Sequence, residues 1–177
     1  MLRIFLISVF LIFSNLAFGK YISFLDSKSE LIISKYLDQK FLIGSANYSF
    51  LFWNIYDAEL YSTSNKFNSN ELAIILKYNR SIEKETLVKE TINDIKEQKN
   101  ISKEQEEKWK SLLESIYIDT KTNKKFIAIK INNKSIFYYN NKKLHESFDE
   151  EFNQLFFDIW LRSNSKNPNF TKTLLGQ

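Results

Sequence analysis

The chain has 177 residues, no cysteine, a single histidine and a formal charge of +4, with 44% apolar and 16% aromatic content. The missing cysteines exclude disulfides, thiol catalysis and cysteine-based zinc sites. His145, in a polar stretch with Lys142, Lys143 and Glu146, makes no metal site alone. Basic and acidic residues are interleaved without a basic stripe, which argues against nucleic-acid binding.

Residues 1–19 read as an export signal. Arg3 supplies the positive start, Ile4 to Phe13 the apolar run, and Ala17-Phe18-Gly19 the small residues at the −3 and −1 positions. The run is far shorter than the ~20 residues that span a bilayer. The expectation is cleavage before Lys20, leaving one domain, residues 20–177, with no stable membrane span. Its net charge falls to +3 with the loss of Arg3. The expected location is periplasmic or secreted. The abundance of Lys, Asn, Ile and Phe reads as a bacterial coding bias. Without disulfides, the exported domain must be held by its core; a domain of this size buries about 70% of the surface its unfolded chain exposes.

Short apolar segments run from Tyr21 to Leu25 and from Leu31 to Leu37. Residues 41–50 and 51–62 read as two strands or one long bent pair. Leu51 to Tyr56 is apolar on both faces, which predicts a strand covered on both sides. Beyond it, Asp57, Glu59 and Tyr61 share one face, the polar end of a strand leaving the core. Glu71 to Tyr78 is a further strand.

Then the period changes from two to 3.6. Ser81 is placed to cap a helix with Val88, Ile92 and Ile95 on one stripe. Ser102-Lys103-Glu104-Gln105 is a capping box, opening a helix with Trp109, Leu112, Leu113 and Ile116 inward. Strands return at 125–131 and 135–139. Asparagine-rich turns follow each, at Asn132-Asn133-Lys134 and Asn140-Asn141-Lys142. Ser147 to Glu150 reads as another capping box, with Phe148, Phe152, Leu155, Phe156 and Ile159 on the buried face of its helix. Asn167-Pro168 starts a short last helix, and Gly176 stops it. The order predicts an α+β fold, a large antiparallel sheet with helices packed on one side.

Four stretches together resemble the chalcone isomerase-like family in its bacterial exported branch. They are Leu42 to Ser45 leading into Leu51 to Tyr61, Leu76 to Ile82, Phe137 to Lys142, and Phe152 to Leu161 closing with Leu174-Leu175-Gly176. The similarity runs over most of residues 41–176. It implies an open-faced β-sandwich. It also implies either cyclisation of chalcones, as in plant members, or fatty-acid binding in which an Arg and a Tyr hold the carboxylate. The family's catalytic Thr falls on Leu51, which cannot hydrogen-bond. No arginine lies around Gly44 to Tyr48, where the catalytic one is wanted.

Beyond the signal the only arginines are Arg80 and Arg162. Arg80, at a strand-to-helix corner beside Tyr78, could hold a carboxylate bidentately or fix the corner by pairing with Glu83. Arg162 reads as a structural cation at a helix C-terminus. Tyr56 and Tyr78 are the hydroxyls expected to line any cleft. The reading favoured is a non-catalytic, cofactor-free protein that binds a small amphipathic ligand such as a fatty acid, through Arg80, Tyr56 and Tyr78. An intramolecular lyase or isomerase of the chalcone isomerase type is the alternative. An interaction module without a small ligand is the third.

Overall fold

The computed structural model describes residues 23–177; the expected export signal lies outside them. Six strands form one antiparallel sheet in sequence order: β1 (Phe41–Phe50), β2 (Trp53–Ser62), β3 (Glu71–Tyr78), β4 (Lys125–Ile131), β5 (Lys134–Tyr139) and β6 (Lys142–Ser147). A helix pair, α2 (Lys84–Gln98) and α3 (Lys103–Ile116), interrupts the sheet in sequence between β3 and β4. The chain ends in α4 (Glu150–Leu161) and α5 (Pro168–Leu174), and a short helix, α1 (Ser27–Ile33), precedes the sheet.

Alternation along the strands divides the core in two. Leu60, Ile74, Leu76, Tyr78, Phe126, Phe137 and Tyr139 face the layer built by α2 to α5. Tyr61, Ile75, Ile127, Ile129, Ile136 and Tyr138 face the other way, where Ile32, Ile33 and Leu37 of the α1 segment cover them. The fold is therefore the expected α+β open-faced sheet carrying one helical layer. The small α1 cap on the opposite face is an addition that the short Leu31–Leu37 run did not disclose.

Helix starts follow capping chemistry. Ser102 and Gln105 form the reciprocal capping box of α3. At α4 the cap is Asp149 rather than Ser147. The Asp149 carboxylate accepts from the Phe152 N–H at 3.0 Å and from Trp109 Nε1 at 2.9 Å. Burial alone would raise its pKa; Lys108, the Phe152 amide and the Trp109 indole outweigh that and hold it below the usual range. Phe148 then falls before the helix and is 73% exposed instead of buried. Ser81 caps nothing, because α2 begins three residues later, with Glu83 at its N-cap position and no side-chain cap.

One further expectation is corrected. Leu51-Phe52 is not part of a covered strand; it is the turn between β1 and β2, and Leu51 has φ +54°. The polar stretch after Asn140-Asn141, to which no element was assigned, forms the edge strand β6 and carries His145 opposite Phe137.

Two of the three glycines interlock. A Cβ on Gly44 would stand 2.5 Å from the carbonyl oxygens of Thr173 and Leu174, and one on Gly176 would stand 2.5 Å from the Ile43 oxygen. Gly176 also needs its φ of +72° to end α5. The register shift between Leu42 and Gly44 bends β1 at this point. The bulge and the glycines thus seat α5 on the sheet beside the region described next.

Candidate functional site

Between the β1–β3 end of the sheet and the helical layer lies a cavity of about 480 Å³, within the range of small-molecule sites. The sheet contributes Tyr48, Phe50, Ile55, Tyr56, Leu76 and Tyr78. Helix α2 contributes Leu87, Glu90, Thr91 and Asp94, while α4 and the segment after it contribute Ile159, Trp160, Arg162 and Lys166. Phe170 and Thr171 of α5 close one side. The wall is mainly apolar, with a few polar groups.

Packing fixes those polar groups. Tyr56 and Tyr78 are register partners on β2 and β3, so their rings meet edge to face at 6.2 Å. Tyr48 stacks on Tyr56 at 4.9 Å, and Phe170 meets both rings edge-on. The Trp160 indole donates to the Tyr56 hydroxyl at 3.0 Å. That oxygen is an acceptor there, so its own proton remains available to a ligand. The Tyr78 hydroxyl has no hydrogen-bond partner among the described residues, although its side chain is buried. Burial raises the pKa of both tyrosines far above their ordinary value, so they remain neutral donors. Tyr117 is raised for the same reason; its hydroxyl is bonded to Thr91 at 3.0 Å.

The charged groups lie on the helical side. Lys166 bridges Asp94 at 2.5 Å and Glu97 at 3.0 Å. Burial raises the pKa of Asp94, and Lys166 opposes that rise. Arg162 forms the C-cap of α4. Its Nε is buried with no hydrogen-bond partner, and among the described residues it makes no ion pair. Its position is held from behind by the return of α5: Thr171 Oγ1 donates to the Trp160 carbonyl at 2.8 Å and is bonded to Ser165 at 2.7 Å.

The expected site residues separate. Tyr56 and Tyr78 come together on the cavity wall. Arg80 does not join them: it is exposed, with its guanidinium 3.8 Å over the ring of Trp53, outside the lining. Two cations line the cavity, Lys166, paired with Asp94 and Glu97, and Arg162, which makes no ion pair among the described residues and which the sequence reading assigned to the helix dipole. The only available signal was its place directly after the buried stripe of α4. Asp57 and Glu59 lie away from the cavity. Asp57 accepts from Asn47 and Asn79. Glu59 is fully buried on the α1 side, not at a polar strand end; it accepts from the Phe24 N–H and the Tyr61 hydroxyl. Among the described residues no group of three His, Cys, Asp or Glu side chains could hold a metal ion, and no helix is long and apolar enough to cross a membrane.

No family model matches the chain. It is 28% identical over 137 residues to an uncharacterized protein of Haemophilus influenzae, across 76% of this chain and 67% of that one. Among solved structures it is similar to a fatty-acid binding protein of Arabidopsis thaliana, with a TM-score of 0.60 at 11% identity, over 78% of this chain and 88% of that one. At that identity the likeness concerns the fold, and the fold is similar to that of the chalcone isomerase-like proteins.

Proposed function

We propose that the protein is an exported, non-catalytic binding protein that takes a small amphipathic molecule, in the first place a fatty-acid-like carboxylate, into the cavity beneath α2, α4 and α5. One observation carries the reading: an apolar-walled cavity faced by an arginine without an ion pair and lined by the neutral side chains of Tyr56 and Tyr78. Arg162 Nε, buried without a partner, carries a free-energy cost that a ligand can remove. Arg162 suits a carboxylate because a guanidinium offers paired donors and stays charged at any physiological pH. The tyrosines suit it because neutral hydroxyls donate without repelling an anion. The apolar wall takes the hydrocarbon part. The fold likeness to a fatty-acid binding protein supports the same reading. Export is proposed from residues 1–19 and places the protein in the periplasm or outside the cell.

The test is native mass spectrometry of the protein recovered from its own host, followed by denaturation and identification of what is released. An amphipathic acid is expected. Added medium-chain fatty acid should also raise the melting temperature. Arg162→Ala should weaken the acid about tenfold or more while leaving the corresponding alcohol unchanged, since a hydrogen bond to a charged group contributes about 1.5–3 kcal/mol. Absence of any released molecule, together with no thermal shift, overturns the reading.

A further inference from the structure

The turn between β1 and β2 carries the densest exposed apolar run among the described residues. Phe50, Leu51, Phe52 and Trp53 are consecutive, with exposures of 60%, 75%, 98% and 52%. Single exposed apolar side chains, such as Leu31 and Phe148, are ordinary on a protein surface; a contiguous group marks an interaction site. The local backbone makes the choice of residues sharper. Left-handed turn positions favour asparagine, and the β4–β5 and β5–β6 turns use it, with Asn132 at φ +52°, Asn140 at +45° and Asn141 at +71°. At the β1–β2 turn the left-handed position is Leu51, followed by Phe52. Neither fold nor turn geometry asks for those side chains.

We propose that this turn docks the protein onto an anionic lipid bilayer, with Leu51 and Phe52 entering the acyl boundary and Trp53 lying at the headgroup level. Tryptophan is the side chain enriched at that level, its ring apolar and its N–H wet. Arg80 supplies the charge complement. Its guanidinium stacks on Trp53 at 3.8 Å and makes no ion pair among the described residues. It is therefore a cation held beside an interfacial aromatic and available to a lipid phosphate. A convex tip of two residues between strands is shaped to enter a lipid surface. Phe50 belongs both to this run and to the cavity wall, so docking brings the cavity against the bilayer. The proposal does not depend on what the cavity binds.

Trp53 is its own reporter, because Trp109 and Trp160 are buried. The protein is mixed with vesicles of phosphatidylglycerol and phosphatidylethanolamine, and separately with phosphatidylcholine vesicles. The expected result is cosedimentation and a blue shift of tryptophan emission, both stronger with the anionic vesicles. Phe52→Asp should lower partitioning about tenfold or more with an unchanged melting temperature, since the side chain is 98% exposed. Leu51→Asn, which keeps the turn conformation, should act in the same direction. Arg80→Gln should remove most of the preference for anionic lipid. Phe148→Asp, on a distant exposed phenylalanine, should change nothing. The proposal is overturned if the native protein ignores anionic vesicles or if Phe52→Asp binds them equally well. It also falls if the lipid-free protein is a dimer that Phe52→Asp dissociates, which would make the turn a self-association surface. Fatty-acid affinity in solution, measured on Phe52→Asp, should stay at the native value, so a failure here is distinguishable from a failure of the ligand reading.

Discussion

The two faces of the sheet differ in how their central ionisable side chains are partnered. On the α1 face, the Glu59 carboxylate takes the Phe24 N–H at 3.0 Å and the Tyr61 hydroxyl at 2.9 Å, and the Tyr36 and Tyr138 hydroxyls bond each other at 2.9 Å. On the helical face, Tyr78 and Arg162 are set against a cavity with donors that no described residue receives. The first arrangement is closed: each of these groups has its partner inside the fold, and their contribution is to stability. The second is open, and its polar groups contribute little to folding because they gain nothing there. Burial of a polar residue thus says little about function until its partners are counted.

The comparison can be broken most severely through the aromatic centre of the helical face. Phe156 is fully buried and meets Phe137, Phe152, Phe157 and Trp160 at centroid distances between 5.2 and 5.7 Å. Phe156→Ala should cost about 3–5 kcal/mol by denaturant unfolding and abolish ligand binding with the fold. A loss under 1 kcal/mol would mean that the helical layer is not held by this cluster. A matched pair of substitutions then sharpens the contrast between faces. Glu59→Ala removes the acceptor of the Phe24 amide and one of the partners of the Tyr61 hydroxyl and should cost about 1–3 kcal/mol of stability without touching ligand affinity. Tyr78→Phe deletes a hydroxyl that has no partner among the described residues. It should change stability by less than about 0.5 kcal/mol and weaken the ligand by about tenfold. The opposite pattern, a stable Glu59→Ala and a destabilised Tyr78→Phe, would erase the distinction.

Local pattern made the helical layer legible. Val88, Ile92 and Ile95, and Trp109, Leu113 and Ile116, are buried where the 3.6 period puts them, and Ser102 starts its helix by a box visible in four letters. Tyr56 and Tyr78 could be named as cleft hydroxyls from the sequence, but their register pairing on β2 and β3 could not. What could not be read depends on contacts distant in sequence. Leu51 and Phe52 look like buried strand because hydrophobicity cannot distinguish a covered run from an exposed turn. Strand β6 lies at the sheet edge, where Lys143 and His145 replace the apolar alternation. Glu59 reads as a surface carboxylate because its amide partner, Phe24, is 35 positions away. Arg162 reads as a helix terminus because its place on the cavity is set by α5 folding back through Thr171 and Ser165.

The smallest effect tests how far the closed face depends on charge. Asp26 caps α1, accepting from the Ser29 N–H at 2.8 Å, and pairs with Lys125 at 2.8 Å, which ties the helix to β4. Burial alone would raise its pKa; the bonds from Lys125 and Ser29 outweigh that and bring it from 3.8 to about 2. A carboxylate whose folded pKa lies below its unfolded one stabilises the fold fully above the unfolded value, and that contribution disappears as pH falls through the folded value. Asp26→Asn keeps a good capping side chain and removes only the charge. At neutral pH it should lower the melting temperature by about 1–3 °C, the scale of a partly exposed ion pair in a domain of this size. The gap between native and variant should then narrow as pH falls from 3.8 towards 2, and close below it. A gap that persists below pH 2 would mean that Asp26 holds α1 by cap geometry rather than by its pairing with Lys125. The α1 face would then be closed by neutral hydrogen bonds and apolar packing without help from this ion pair.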